Sequence, residues 1–253
     1  MATDLQKASL WKRTAAWLFD GILTGILAVA AGVLISFLLG YDAHSEKLES
    51  AYARYEQAYG VVFEISLEEY EAMTEAQRHD YDTAYAALIA DEEAMYAYNM
   101  MLSQTLVILT VAILLATAVM EWLVPRKLGN GQTLGKKIFG LALIRNDGVM
   151  MNNMQLFTRT ILGKYTVETM IPVLIILMIY WGTMGVAGTA VLFALFCGQT
   201  ACVLFTRGNC AIHDLMAGTI VVDYASQTIF RTTEELIAYQ KKVAAERANR
   251  APY

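Results

Sequence analysis

Residues 169 to 206 run for 38 positions without a charged side chain, and residues 94 to 120 for another 27. A helix that crosses a bilayer needs about 20 apolar residues. Neither run shows the one-sided apolar stripe of a helix lying on a protein surface. With 57% hydrophobic residues and 17% charged ones, the 253-residue chain reads as an all-α polytopic membrane protein.

Charge is strongly segregated along the chain. Residues 41 to 100 hold 14 acids against 3 bases, and residues 126 to 164 hold 7 bases against 1 acid. Short basic segments stay on the cytoplasmic side while acidic ones cross readily. The acidic stretch is therefore expected outside the cell membrane and the basic one inside. Residues 1 to 13, with Lys7, Lys12 and Arg13 against Asp4, join the inside.

Four transmembrane helices are expected in this frame. The first covers 14–40, where a signal-peptide reading at Ala28-Val29-Ala30 is weakened by the apolar run continuing beyond it. Gly21, Gly25, Ala28 and Gly32 place small residues on one face, where a second helix can approach. An acidic insert, 41–99, follows as an extracellular helical hairpin with a seam of Leu48, Tyr52, Tyr55 and Tyr59 ended by Gly60. Ser66 with Glu69, and Thr74 with Gln77, write two capping boxes into it. Its second arm, carrying Tyr81, Tyr85 and Leu88, is expected to fuse with the second span, 100–125, which ends in Glu121, Trp122, Pro125, Arg126 and Lys127.

The basic loop, 126–164, is rich in turn signals: Gly129-Asn130-Gly131, Gly135, Gly140 and Asn146-Asp147-Gly148. "FGLALIRNDGVMM" reads as a strand, a tight turn and a short return strand. "NGQTLGKK" fails as a phosphate loop, having Asn130 where the first glycine belongs and Lys137 where Ser or Thr belongs. Asn153 is expected to cap an amphipathic stretch, "MQLFTRTILGK", lying on the membrane surface. Spans three and four share 165–206 and turn at "YWGTMGVAG"; one long span is the alternative. In the C-terminal segment, 207–253, Thr219 to Asp223 has strand composition and is expected to pair with Leu141 to Arg145, while the polar tail from Thr232 looks dispensable. Cys197, Cys202 and Cys210 offer no disulfide framework, and Cys210 with His213 is half of a zinc pattern without a second half. No cofactor is expected.

The feature calling for explanation is Asp20, since a carboxylate inside a spanning segment is costly unless paired. Arg13 lies seven residues before it, on the same helical face, and its long stem reaches down toward the carboxylate. Arg13 and Asp20, "TLGKKIFGLALIRNDG" in the basic loop, and "HDLMAGTIVV" after the last span together resemble the RDD family of bacterial and archaeal membrane proteins, named for one arginine and two aspartates. By position Arg13 and Asp20 match the family's first-helix pair and Asp214 its later aspartate, over residues 9–40 and 100–223. The resemblance implies several spans and a suspected transport role, some members being linked to sodium/proton exchange.

Two functions follow as expectations. One is cation/proton exchange through a buried Arg–Asp network of Arg13, Asp20 and Asp214, with Thr24, His213, Glu121 and Glu168 as further stations. The other is a non-transporting scaffold or assembly factor that binds a partner through the acidic hairpin. The same network also serves as a structural lock between helices. An enzyme is not expected, because no nucleophile, metal set or paired-carboxylate site assembles. The expected partners are the lipid bilayer, cations or protons, and further copies of the chain; nucleic acid is not among them. A cysteine at Ser45 is expected to react with an impermeant thiol reagent from outside, and one at Gly148 from inside; the reverse pattern would overturn the topology.

Overall fold

The computed structural model describes residues 5–129, 131–206 and 208–250 and is 76% helical, with four helices long and apolar enough to cross a membrane and one two-stranded sheet. The fold is that of an all-α polytopic membrane protein. Asp4, Asn130 of the loop's turn signal, and Arg207 lie outside the described residues. The chain divides into two units, Met1–Ala28 with Ile113–Tyr253, and Val29–Ala112.

Helix α1 (Leu10–Leu39) ends at Gly40, whose φ of 66° turns the chain into α2 (Tyr41–Tyr59). In the Val29–Ala112 unit, α2 packs on α4 (Glu75–Ala90) across a core of Ala51, Leu88 and Ala94 with Tyr52, Tyr55 and Phe63 against it. Phe63 is the hub of the aromatic seam, edge-on to Tyr52 at 5.5 Å and to Tyr81 at 5.8 Å. Both capping boxes form, Ser66 with Glu69 at the start of α3 (Leu67–Ala72) and Thr74 with Gln77 at the start of α4. The hairpin's second arm is not continuous with the next span. Asp91 leaves helical geometry (ψ 107°), and its carboxylate accepts from the Glu93 and Ala94 N–H groups to start α5 (Glu92–Ala118) afresh. A carboxylate one residue ahead of a helix satisfies orphan N–H donors that an unbroken helix would not have. Gln104 of α5 donates to the Leu39 carbonyl at the end of α1 (2.9 Å).

In the unit of Met1–Ala28 and Ile113–Tyr253, α5 passes through a π-helical stretch, Val119–Leu123, into α6 (Val124–Leu128). A longer π-helical stretch, Thr158–Met170, links α8 (Asn153–Phe157) to α9 (Ile171–Tyr180). Each stretch runs into a proline two residues beyond its end, Pro125 and Pro172. A proline ring has no N–H and crowds the carbonyl of the preceding turn, so i→i+5 bonding stands where the regular ladder is interrupted. Residues 153 to 164 run on without a break into 165 to 180, so that Asn153–Tyr180 as a whole is long and apolar enough to be the third span; the cap is Asn152, whose side chain accepts from Gln155. The expected turn between spans three and four lies at 181–184, and α10 (Gly185–Phe205) follows. The small-residue face of α1 is only partly used: a Cβ on Gly32 would touch Ile108 and Ala112 at 3.7 and 3.8 Å, while around Gly21 and Gly25 nothing lies within 4 Å.

After the short helix α7 (Leu134–Ile138), strand β1 (Leu141–Arg145) pairs antiparallel with β2 (Thr219–Asp223), Leu141 opposite Asp223 and Arg145 opposite Thr219. Helix α11 (Ile212–Ala217) precedes β2, and α12 (Thr233–Arg250) closes the chain. Leu141, Leu143 and Val221 pack on Ala8 and Ala16 on one face, and Ala142, Ile144, Ile220 and Val222 pack on Cys210 on the other. Burial on both sides explains why these strands read as unbroken apolar runs. The return strand reduces to one bridge, Ile144 to Met150, and Lys7 bridges Val222. The tail is anchored, with Leu236 of α12 buried against Val149 and Phe230.

Ile144 is fully buried. Ile144→Ala is expected to cost about 2 to 5 kcal/mol by leaving a cavity under the sheet, read as a lowered unfolding midpoint in detergent.

Candidate functional site

All the charged stations expected from the sequence lie in the unit that carries the sheet, but the pairing differs. Asp20 does not take Arg13 as its partner. Its carboxylate, 2% exposed, accepts from the Thr133 hydroxyl (2.5 Å) and the Gly135 N–H (2.8 Å). Thr133 caps α7, so the "TLGKK" motif that fails as a phosphate loop instead presents the first turn of a short helix to the aspartate. Gly135 is required by closeness: a Cβ there would stand 2.5 Å from the Ala16 carbonyl oxygen and 3.0 Å from the Asp20 carboxylate. Lys136 donates to the same Thr133 hydroxyl (3.2 Å). Burial, opposed by Glu121, pushes the Lys136 ammonium down to about 8.

Arg13 turns the other way. Its guanidinium donates to the Gly208 carbonyl (2.9 Å) and faces Asp214 at 3.5 Å, clamping α1 to the segment ahead of α11. The centre of the cluster is Arg159, which sequence reasoning placed on a membrane surface and which is 2% exposed. Nε donates to Asp214 (3.0 Å), Nη1 faces Glu121 (3.4 Å) and Nη2 meets the His213 ring at Nε2 (2.8 Å). Glu121 also takes a short ion pair from Lys164, and its backbone carbonyl accepts from the Thr160 hydroxyl (2.9 Å). Arg159, Lys164 and Glu168 all come from the long π-helical stretch, and Glu121 from the short one. Side chains five apart are brought round to one partner by i→i+5 bonding, as π-turns often do at functional sites. The visible signal was an arginine and a lysine ahead of a charge-free run.

An Arg159 N–H aimed at Nε2 of His213 makes that nitrogen an acceptor, so the proton sits on Nδ1 and is donated to Glu168 (2.7 Å). Glu168 also accepts from the His213 backbone N–H (3.0 Å). Burial, the largest effect, keeps the His213 ring below its ordinary value against the pull of Asp214 and Glu168. Burial alone would raise Asp214; the guanidinium groups of Arg159 and Arg13 together hold it well below the usual carboxylate range. The close seat of α11 depends on Gly163, where a Cβ would stand 2.7 Å from the His213 Cα. Thr24, the remaining expected station, donates to the Asp20 backbone carbonyl (2.7 Å).

Four acids (Asp20, Glu121, Glu168, Asp214) and four bases (Arg13, Lys136, Arg159, Lys164) therefore share one region with a neutral histidine. Asp20 and Glu168 differ from Glu121 and Asp214: among the described residues no Lys or Arg lies within ion-pair distance of either, Asp20 being held by Thr133 and Gly135 and Glu168 by the neutral His213. All nine groups border a cavity of about 680 Å³.

Replacing Arg159 by Met is expected to cost about 3 to 5 kcal/mol, because Glu121 and Asp214 keep their charge and lose a buried partner. Arg13→Met should cost less, since Asp214 retains Arg159. Unfolding midpoints of the purified variants give the order, and a smaller loss for Arg159→Met than for Arg13→Met would refute it.

No curated protein and no solved structure matches the chain. The model of the RDD family matches residues 7–218, from ahead of α1 to the end of α11, so the chain belongs to the RDD family.

Proposed function

We propose that this protein exchanges cations for protons across the cell membrane, with Asp20 as the carboxylate that takes either one. The observation that supports this is the state of Asp20: buried, held by a hydroxyl and a backbone N–H, with no Lys or Arg among the described residues paired to it, and on the wall of a cavity. Neutral donors hold the carboxylate without supplying a counter-charge, which leaves room there for a proton or a metal cation. Around it the Arg159 cluster serves as scaffold, each of Glu121 and Asp214 being matched to two permanent cations. Four spans put both termini on one side, and the basic residues of 126–164 favour the cytoplasmic one. Four helices are few for a carrier acting alone, and a homo-oligomer is the working form in this reading. A scaffold role for the acidic hairpin is the second reading: Tyr52, Tyr55 and Phe63 are turned into its own seam, while Tyr59 and Tyr85 stay exposed beside its acids.

The test is flux in proteoliposomes holding the purified protein and a trapped pH dye. A sodium or potassium gradient is expected to drive counter-flow of protons in the wild type and at least tenfold less in Asp20→Asn, whose amide can still accept from Gly135. Equal flux in the two, with both eluting as monodisperse protein, would overturn the proposal.

A further inference from the structure

The cavity has a second character beside its deep aspartate. Of the cluster's charged groups, three have more than a tenth of the side chain exposed: Arg13 at 14%, Lys164 at 17% and Glu168 at 16%. All three border the cavity. An entering molecule therefore meets two cations and one carboxylate before it meets the buried residues. With Asp20 ionised and empty the cluster is balanced, four acids against four bases, and in that state a ligand of net charge would leave an uncompensated charge in a poorly solvated place.

The rest of the wall is apolar and continues onto the lipid-facing surface. Trp17 on α1 and Phe196 on α10 both border the cavity while more than half exposed. Gly21 of α1 borders it too, with no atom within 4 Å of the place a Cβ would take. At Gly21 the small-residue face of α1 is therefore not filled by a neighbouring helix, and the gap beside it is open to an acyl chain.

We propose that this cavity binds a zwitterionic, single-chain phospholipid, its phosphate on Arg13 and Lys164, its ammonium on Glu168 and its chain along Trp17, Gly21 and Phe196. A phosphate accepts from a guanidinium and an ammonium at once, and a primary ammonium carries the donors a carboxylate needs. A volume of about 680 Å³ is in the range of pockets that enclose one amphiphile of modest size. The proposal stands apart from the exchange reading, since Asp20 makes no contact in it.

The full chain, purified in a neutral detergent, is titrated with lysophosphatidylethanolamine, with lysophosphatidylglycerol of the same chain as the net anion, and with an alkyltrimethylammonium of the same chain as the net cation. Adducts are counted by native mass spectrometry. A saturable one-to-one adduct is expected for the zwitterion, at least tenfold tighter than for either charged amphiphile. Gly21→Leu, whose side chain points into open space, is expected to weaken it tenfold without lowering the unfolding midpoint. Glu168→Gln, which can still accept from His213, should erase the preference of zwitterion over anion. Equal adducts with all three amphiphiles, or a zwitterion adduct indifferent to Gly21→Leu, would overturn the proposal.

Discussion

A guanidinium that cannot lose its charge, enclosed by two carboxylates and a histidine, is the constraint around which the rest of this protein is arranged. Arg159 is 2% exposed, and such a group is tolerable only when nearly all its N–H donors are used. Glu121 from the second span, Asp214 and His213 from α11, and Arg159 itself from the third span are thereby fixed to one another. Lys164 and Arg13 extend the lattice at either side. A network of this kind adds little net stability over an apolar core of the same volume, but a helix that slipped by one turn would strand several charges at once. Register is what it secures.

That lattice explains the local oddities of the backbone. The two π-helical stretches supply Glu121, Arg159, Lys164 and Glu168, and two of the close approaches in the region occur at Gly135 and Gly163. A side chain at either glycine would push α1 from α7, or α11 from the third span, by more than a well-packed interior absorbs. Irregular helix and missing side chains together bring polar groups close where regular helices with ordinary residues would hold them apart.

Much of the frame could be read from residues alone. Charge-free runs located the spans, the two capping boxes named their own helix starts, and strand composition with turn signals paired Leu141–Arg145 with Thr219–Asp223 correctly. The site was less legible. Spacing put Arg13 and Asp20 on one face of one helix, but it says nothing about competitors from elsewhere in the chain; Thr133 and Gly135, more than a hundred residues away, hold Asp20 instead. Arg159 was misplaced because a pattern read at 3.6 residues per turn assigns faces wrongly in a segment bonded i→i+5. Asp91 was passed over because a break of one residue between two helices leaves no Gly or Pro to announce it.

The sheet has one more consequence, which concerns the order of events as the chain is made. Lys7 bridges Val222, and Arg13 reaches Asp214 across 201 positions of sequence. Neither contact can exist until the final membrane segment has left the ribosome. During synthesis the arginine of the third segment can meet Glu121 of the second but must be carried through insertion without Asp214 and His213, and closure of a very long loop comes last. Assembly of this protein is a late, all-together step, and the newborn chain passes through its most vulnerable stage just before it is finished.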